Sequence, residues 1–582
     1  MKSSQISYNR NPILNSPDDI TEELIQAIID NNLDSLTINY EFTRALFDKE
    51  YRYDWEKEQY RTNPFWAANQ KSELKRIEFE IILGENVHSL AYAFYKLHGL
   101  ESVNLKDTSN VTNMSGMFSV ANSFNQPIGD WDISNVENMQ SMFECAFSFN
   151  QPIGDWDVSN VTNMSGMFSH ADSFNQPIGD WDTSNVTNMS DMFSYTNSFN
   201  QPIGDWDTSN VTDMGSMFSH AKSFNQPIGD WDTSNVTDMG SMFEDAFYFN
   251  QPIGDWDVSN VRSMSNMFEY ANSFNQPIGD WDTSNVTNMS GMFSRAGSFN
   301  QPIGDWDISN VTDMSGMFSV ANSFNQPIGG WDTSNVTNMN CMFEYAKSFN
   351  QPIGDWNISN VTYMLGMFSR AESFNQPIGD WNTSNVTDMS YMFSGANSFN
   401  QPIGDWDVSN VTNMNGMFSG SLFNGDISKW NVSNVKSMFA MFNESKFNGD
   451  ISKWNVSKVK DMSRMFANSQ FNGDISKWNV SKVEDMNNMF KDAKSFNQPI
   501  GDWDTSNVTD MSYMFCRAES FNQPIGDWDT SNVRSMSNMF EDAKFFNQPI
   551  DDWDTSNVKE DEDMFKGAES YSYPSLRKKR KK

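Results

Sequence analysis

A unit of 25 residues, of the form FNQPIGDWDTSNVTNMSGMFSxAxS, recurs almost without interruption from Phe124 to Phe565. All of the 20 tryptophans except Trp55 and Trp66 mark it. Self-similarity at a period of about 20–50 residues is the signature of a solenoid or array. One copy is too small to bury a core alone, so copies must stack on their neighbours. This overrides the several globular domains that 582 residues would otherwise indicate. A motif copied along a chain also offers a long, regular surface instead of a single catalytic cleft.

Composition sharpens this. Net charge is −37, and Phe (46) and Met (38) take the role Leu usually has. Such acidity argues against direct nucleic-acid binding by the repeats. No apolar run is long enough for a transmembrane segment. The opening MKSSQISYNRNPIL lacks the apolar stretch of a secretory signal. Cys145, Cys341 and Cys516 lie many repeats apart, too far to pair within one stacked chain. His88, His98, His170 and His220 show no zinc-ligand spacing.

Residues 1–86 are expected to form an α/β capping region. A helix is predicted from Ser16, with Pro17 at its first position and Ile20, Leu24, Ile25 and Ile28 as its apolar stripe. Ser35–Phe42 and Leu74–Leu83 read as strands, with a charged and aromatic stretch over 43–72 between them. Leu100, Val103 and Leu105 then form L-x-x-V-x-L, the strand signature of a leucine-rich repeat. The solenoid therefore spans 87–570, opening on a degenerate coil and closing on the charged unit KEDEDMF. The period falls to 24 across Trp406, Trp430, Trp454 and Trp478, then returns to 25. Residues 571–582, ending in RKKRKK, read as a disordered basic tail.

Within the unit Phe124–Ser148, Ile128, Trp131 and Ile133 suit a strand with inward side chains, starting after Pro127. Val136, Met139, Met142, Phe143 and Ala146 fall on one face of a short helix or 3-10 segment. Asn125 and Asn135, repeated in register, predict polar ladders that satisfy turn backbone groups.

Units of the form FNQxIxxWDxSNVTxMSxMFxxAxS resemble the BspA-like leucine-rich repeat surface proteins, over most of the chain. The resemblance implies a leucine-rich-repeat-like solenoid. Members of that family include bacterial surface proteins, often lipoproteins, associated with adhesion and binding of host proteins. Similar arrays occur in protists and large DNA viruses. This chain departs from the pattern in lacking a signal peptide and lipobox cysteine and in carrying the basic tail, which favours an intracellular or viral setting over the cell surface. The expected fold class is a repeat solenoid: a leucine-rich-repeat-like right-handed stack of short parallel strands with short helical or 3-10 segments, plus a small mixed α/β N-terminal cap.

The aspartates flanking each Trp are the candidate site. On a strand, both neighbours of an inward Trp point outward, roughly 7 Å apart. Asp130/Asp132, Asp155/Asp157, Asp180/Asp182 and Asp205/Asp207 would then build a two-column carboxylate lattice. Such a lattice attracts cations or a basic protein. Calcium is the cation considered, although it usually takes about 6–8 oxygens and no dedicated loop is evident. Lys429, Lys453 and Lys477 replace the first Asp in the shorter units, giving a less acidic band over 423–480 that could serve as a docking band. No catalytic constellation is evident, because the paired carboxylates sit on an open face where nothing raises a pKa. The expected function is a non-enzymatic scaffold for protein–protein interaction or adhesion through an extended acidic face. Its partner is an unidentified protein, basic by charge complementarity, and the chain itself is a monomer or weakly self-associating. The alternatives are a structural or assembly component of a virion or surface layer, and an acidic polyanion mimic.

Overall fold

The computed structural model describes residues 10–16, 19–33, 35–38, 63–69 and 73–573. They form two compact units, divided between Asn285 and Val286. The expectations for Pro17, for residues 39–62 and for the RKKRKK tail lie outside the described residues.

The first unit opens with a parallel sheet. Strands β1 (Ile13–Leu14), β2 (Ser35–Ile38), β3 (Arg76–Leu83) and β4 (Ser102–Lys106) pair in chain order. Helix α1 (Glu22–Ile29) connects β1 to β2, and helix α2 (Pro64–Asn69) precedes β3 and contacts α1. Because strand order follows chain order, each crossover adds one strand to the edge, as a solenoid does. Val103 and Leu105, from the L-x-x-V-x-L signature, are the buried residues of β4.

Helix α1 starts later than the sequence predicts. Its N-cap is Thr21, whose Oγ1 accepts from the Leu24 N–H at 3.2 Å. Upstream, the Asp19 carboxylate accepts from the N–H groups of Asn15 and Ser16 at 2.7 and 3.0 Å. That turn uses the amides a helix beginning at Ser16 would have left free. The apolar stripe survives the shift, since Leu24, Ile25 and Ile28 are buried.

Beyond β4 the repeats contain no strands of the expected kind. Between Ile128 and Ile133 the chain turns instead: the Trp131 N–H donates to the Ile128 carbonyl at 3.2 Å. Contact between rungs is made elsewhere, through single parallel bridges such as Asn113 to Asn138 and Asn138 to Asn163. These bridges run from Ser89 to Ser263 in the first unit and from Asn288 to Glu560 in the second.

The expected helical segment is also replaced. Met142, Glu144 and Ala146 donate three residues back, to Met139, Ser141 and Phe143, at 3.0–3.1 Å. The alternate amides of Met139, Ser141, Phe143 and Cys145 donate to the next rung instead, at 2.7–2.9 Å. Ser141 and Cys145 hold positive φ, at 53° and 55°. A left-handed residue every fourth position breaks the helix after each turn and points alternate amides along the stack. The inward set is nevertheless the predicted one: Val136, Met139, Met142, Phe143 and Ala146 are fully buried.

Packing follows the register. The Phe143 ring stacks on Phe149, six residues on, at 3.9 Å and on Phe168, its counterpart in the next copy, at 5.7 Å. Burying a large apolar side chain contributes about 1.5–3 kcal/mol before entropy is subtracted. The ladders expected at Asn125 and Asn135 are present. Asn125 Oδ1 accepts from the Asn150 N–H at 2.9 Å, and Asn135 Nδ2 donates to the Ser109 carbonyl at 2.8 Å. Gly154 has a specific steric role, because a Cβ there would lie 2.7 Å from the Pro177 carbonyl oxygen of the next rung.

Candidate functional site

The first aspartate column, Asp130, Asp155, Asp180 and Asp205, lies at the corner of the turn between Ile and Trp and is exposed. The second column, Asp132, Asp157, Asp182 and Asp207, is also exposed, just past the Trp. No strand forms around Trp131, so the two columns face solvent from a turn. The turn decides their chemistry differently. Asp132 accepts from both the hydroxyl and the N–H of Ser134, at 2.7 and 3.1 Å, and Asp157 does the same with Ser159 at 2.6 and 3.1 Å. The Ser134 and Ser209 hydroxyls, with their amides, hold the carboxyls of Asp132 and Asp207 below the usual carboxylate range. Asp207 pushes the other way on Asp232, but the bonds from Ser234 outweigh it. The second column is thus locally fixed by its serines, with Asp132 and Asp207 held ionised, and the first projects from the corner.

Lys429, Lys453 and Lys477 are exposed at the same turn corner in the short rungs. Lys429 Nζ reaches Asp405 of the preceding rung at 3.2 Å, with both side chains mostly in water. The acidity lost at this corner returns nearby. Asp426, Asp450 and Asp474 stand where other units carry Pro, and each is exposed. The amide and hydroxyl of Ser428, and then Lys429, hold the Asp426 carboxyl low. Reading FNGDISKWN against FNQPIGDWD would have exposed this exchange of acid between columns. The band over 423–480 is therefore an interleaving of Lys and Asp columns.

Sequence reasoning missed a second surface. Each rung carries two left-handed residues four apart, as in Gly166 and His170, Asp191 and Tyr195, or Ser216 and His220. The core columns barely change from copy to copy, whereas these positions do. The signal was visible as the variable residue in MFSxA, next to positions that are often Gly. On this edge His170, Tyr195 and His220 stack ring on ring at 4.3 and 4.0 Å.

Among the described residues no three His, Cys, Asp or Glu side chains converge to hold a metal ion. The aspartate columns are spread along the rungs, so the calcium reading gains no coordination cage from them. Cys145, Cys341 and Cys516 form no disulfide. Burial, with Glu344 close by, pushes the Cys341 thiol up to about 12. No helix among the described residues is long and apolar enough to cross a membrane.

Comparison with known proteins places the repeats. No curated protein matches the chain. Among solved structures, one similar chain is a plant peptide hormone receptor, RGFR1 in complex with RGF2, at 9% identity and a TM-score of 0.19, covering 91% of this chain and 90% of that one. The family profile of a Mycoplasma protein of unknown function, DUF285, matches residues 88–201, 176–277, 249–336, 324–422, 398–503 and 467–577. These overlapping matches follow the rungs from the first coil to the last, and the chain therefore belongs to the DUF285 family.

Proposed function

We propose that this chain is a non-enzymatic scaffold for protein interaction, using the acidic corner of its rungs to engage a basic protein. The observation that carries this reading is the pair of exposed carboxylate columns, repeated in register, one of them tied down by hydrogen bonds from Ser134 and its equivalents. Regularly spaced like charges raise the local potential and draw oppositely charged partners. In this reading residues 1–86 cap the array, 87–570 carry it, and 571–582 form a basic tail. The BspA-like character of the repeats belongs to the same reading, supported by the tract FNQPIGDWDTSNVTNMSGMF.

The test is zero-length carbodiimide cross-linking in a native extract, followed by mapping of the linked peptides. Links between partner lysines and the Asp155, Asp180 and Asp205 column are expected. Links confined to other faces, or none at all, would sink the proposal. Light scattering across a concentration series should return monomer mass; growth with concentration would favour an assembly role.

A further inference from the structure

The left-handed edge of the first unit has side chains that its backbone does not ask for. A residue with a Cβ is strained in the left-handed region, where Cβ crowds the following carbonyl oxygen. Glycine fills the column of His170, Tyr195 and His220 in other rungs, at Gly395 and Gly420, so the fold accepts it there. His170, Tyr195 and His220 nevertheless hold φ of 58°, 57° and 59°. Bulky residues kept against local preference on a surface point to a use beyond folding. Tyr, together with the Ser, Gly and Asn that share these columns, is also typical of recognition surfaces.

The aromatic character extends sideways. Phe147 and Phe247 stand two residues past the second left-handed column and are 41% and 38% exposed, and Tyr248 is 59% exposed. The Tyr248 ring packs edge-on against Phe247 at 5.0 Å. Acid surrounds these rings: Asp172 accepts from Asn197 at 2.8 Å, and Asp245 lies 3.5 Å from Lys222. Between Asp107 and Asn285 the only Lys and Arg residues are Lys222 and Arg262. Exposed aromatic rings within an acidic rim suit cations that can stack and pair at once.

The second unit shows the geometry within its own chain. There the Arg370 guanidinium lies 5.1 Å from the Tyr345 ring centre, and Lys491 lies 5.1 Å from Tyr513. Tyr345 and Tyr513 stand in the two left-handed columns. In the second unit the columns thus receive their cations from within.

We propose that the left-handed edge of the first unit, from Phe147 to Tyr248, docks an arginine- and lysine-bearing segment of a partner protein. The cations seat against Phe147, Phe247 and Tyr248 and pair with Asp172, while the His170–Tyr195–His220 stack forms the ridge between. This rests on the reading of the chain as a scaffold for a basic partner, but it uses a different face from the aspartate columns.

The test measures fluorescence anisotropy of a labelled peptide of alternating arginine and serine, with a lysine–serine peptide beside it, at physiological salt. The full chain is compared with an edge variant (Tyr195→Gly, Phe247→Ser, Tyr248→Ser) and a column variant (Asp155→Asn, Asp180→Asn, Asp205→Asn). The edge variant should lose about tenfold in affinity for the arginine peptide and lose the preference for arginine over lysine. The column variant should bind both peptides more weakly and keep that preference. Tyr248→Ser alone, which removes only an exposed ring, should cost about threefold and guards against misfolding of the triple variant. Unchanged affinity in both edge variants overturns the edge proposal. Loss confined to the column variant does so too, while leaving the acidic-corner reading intact. Failure of the unaltered chain to bind either peptide overturns both.

Discussion

The indole N–H of Trp206 donates to the carbonyl of Ile178, one rung back, at 3.0 Å. Trp181 does the same to Ile153, and Trp231 to Ile203, so the tryptophans tie each rung to its predecessor while they fill the core. Trp206→Phe removes the shorter of the two bonds to the Ile178 carbonyl, leaving it only the Trp181 N–H at 3.4 Å, and opens a gap beside Phe193. The expected loss is about 2–4 kcal/mol, read as a lower denaturant midpoint.

Gly179 faces the Pro202 carbonyl, which would lie 2.7 Å from an added Cβ. That contact is with backbone, which cannot swing away. Gly179→Ala should cost about 1–3 kcal/mol in thermal or denaturant unfolding. The 24-residue rungs already carry a Cβ at the equivalent place, in Ser428, Ser452 and Ser476. Ser452→Ala should therefore be much milder, and an equal loss at both sites would refute the steric account.

Val320 is β-branched and holds φ of 58°. Gly316, four residues earlier, occupies the other left-handed column without strain. Val320→Gly should raise stability by about 0.5–1.5 kcal/mol, through relief of that backbone. A lower melting temperature in the variant would show that the Val side chain contributes more packing than strain.

Asp213 and Asp485 lie in the bridge column, half-buried, and burial raises both carboxyls above their ordinary value. A raised folded pKa means that the folded chain holds a proton the unfolded chain has already released. Their contribution therefore favours folding at low pH and is lost as pH rises through the folded pKa. Asp213 Oδ1 accepts from the Gly215 N–H at 2.9 Å, a bond that Asn188 makes to Ser190 in the same way. Asp213→Asn with Asp485→Asn should raise the melting temperature near neutrality, and the gain should vanish in acid. Asp207 and Asp232 behave oppositely: their pKa values are lowered, so their stabilisation is present above the unfolded value and fades as pH falls through the folded one.

Cys341 and Cys516 should be slow thiols. Burial, more than any neighbouring charge, raises them to about 12 and about 11. The thiolate is the reactive form. Iodoacetamide at mildly alkaline pH should label both far more slowly than a free cysteine, and denaturant should restore the ordinary rate. Rapid labelling of the native chain would show that these side chains are open to solvent.

Much of the architecture was legible from the repeat. The inward columns Val136, Met139, Met142, Phe143 and Ala146 could be named, because burial depends on side-chain chemistry that recurs copy after copy. The polar ladders at Asn125 and Asn135 followed from the same register. The secondary structure assigned to those columns was less legible. Their spacing is compatible with a helix face, and it is equally compatible with single turns interrupted by left-handed residues such as Ser141 and Cys145. Nothing local marks Ser, Cys, Tyr or Val as left-handed. The aspartates beside Trp131 are exposed, as the pattern predicts, but on a turn and not on a strand.

The sequence by itself determined that the chain stacks, which side chains fill the stack, and that it carries a dense, regular negative charge. Only the tertiary structure decided how the backbone meets its hydrogen-bonding needs. Left-handed residues interrupt the segment that could have been a helix, so its amides divide between a turn within the rung and the carbonyls of the next. That division requires left-handed residues at two fixed positions. The Met139 amide reaches the Asn163 carbonyl only because the next copy lies beside it, and the same stacking brings His170, Tyr195 and His220 face to face.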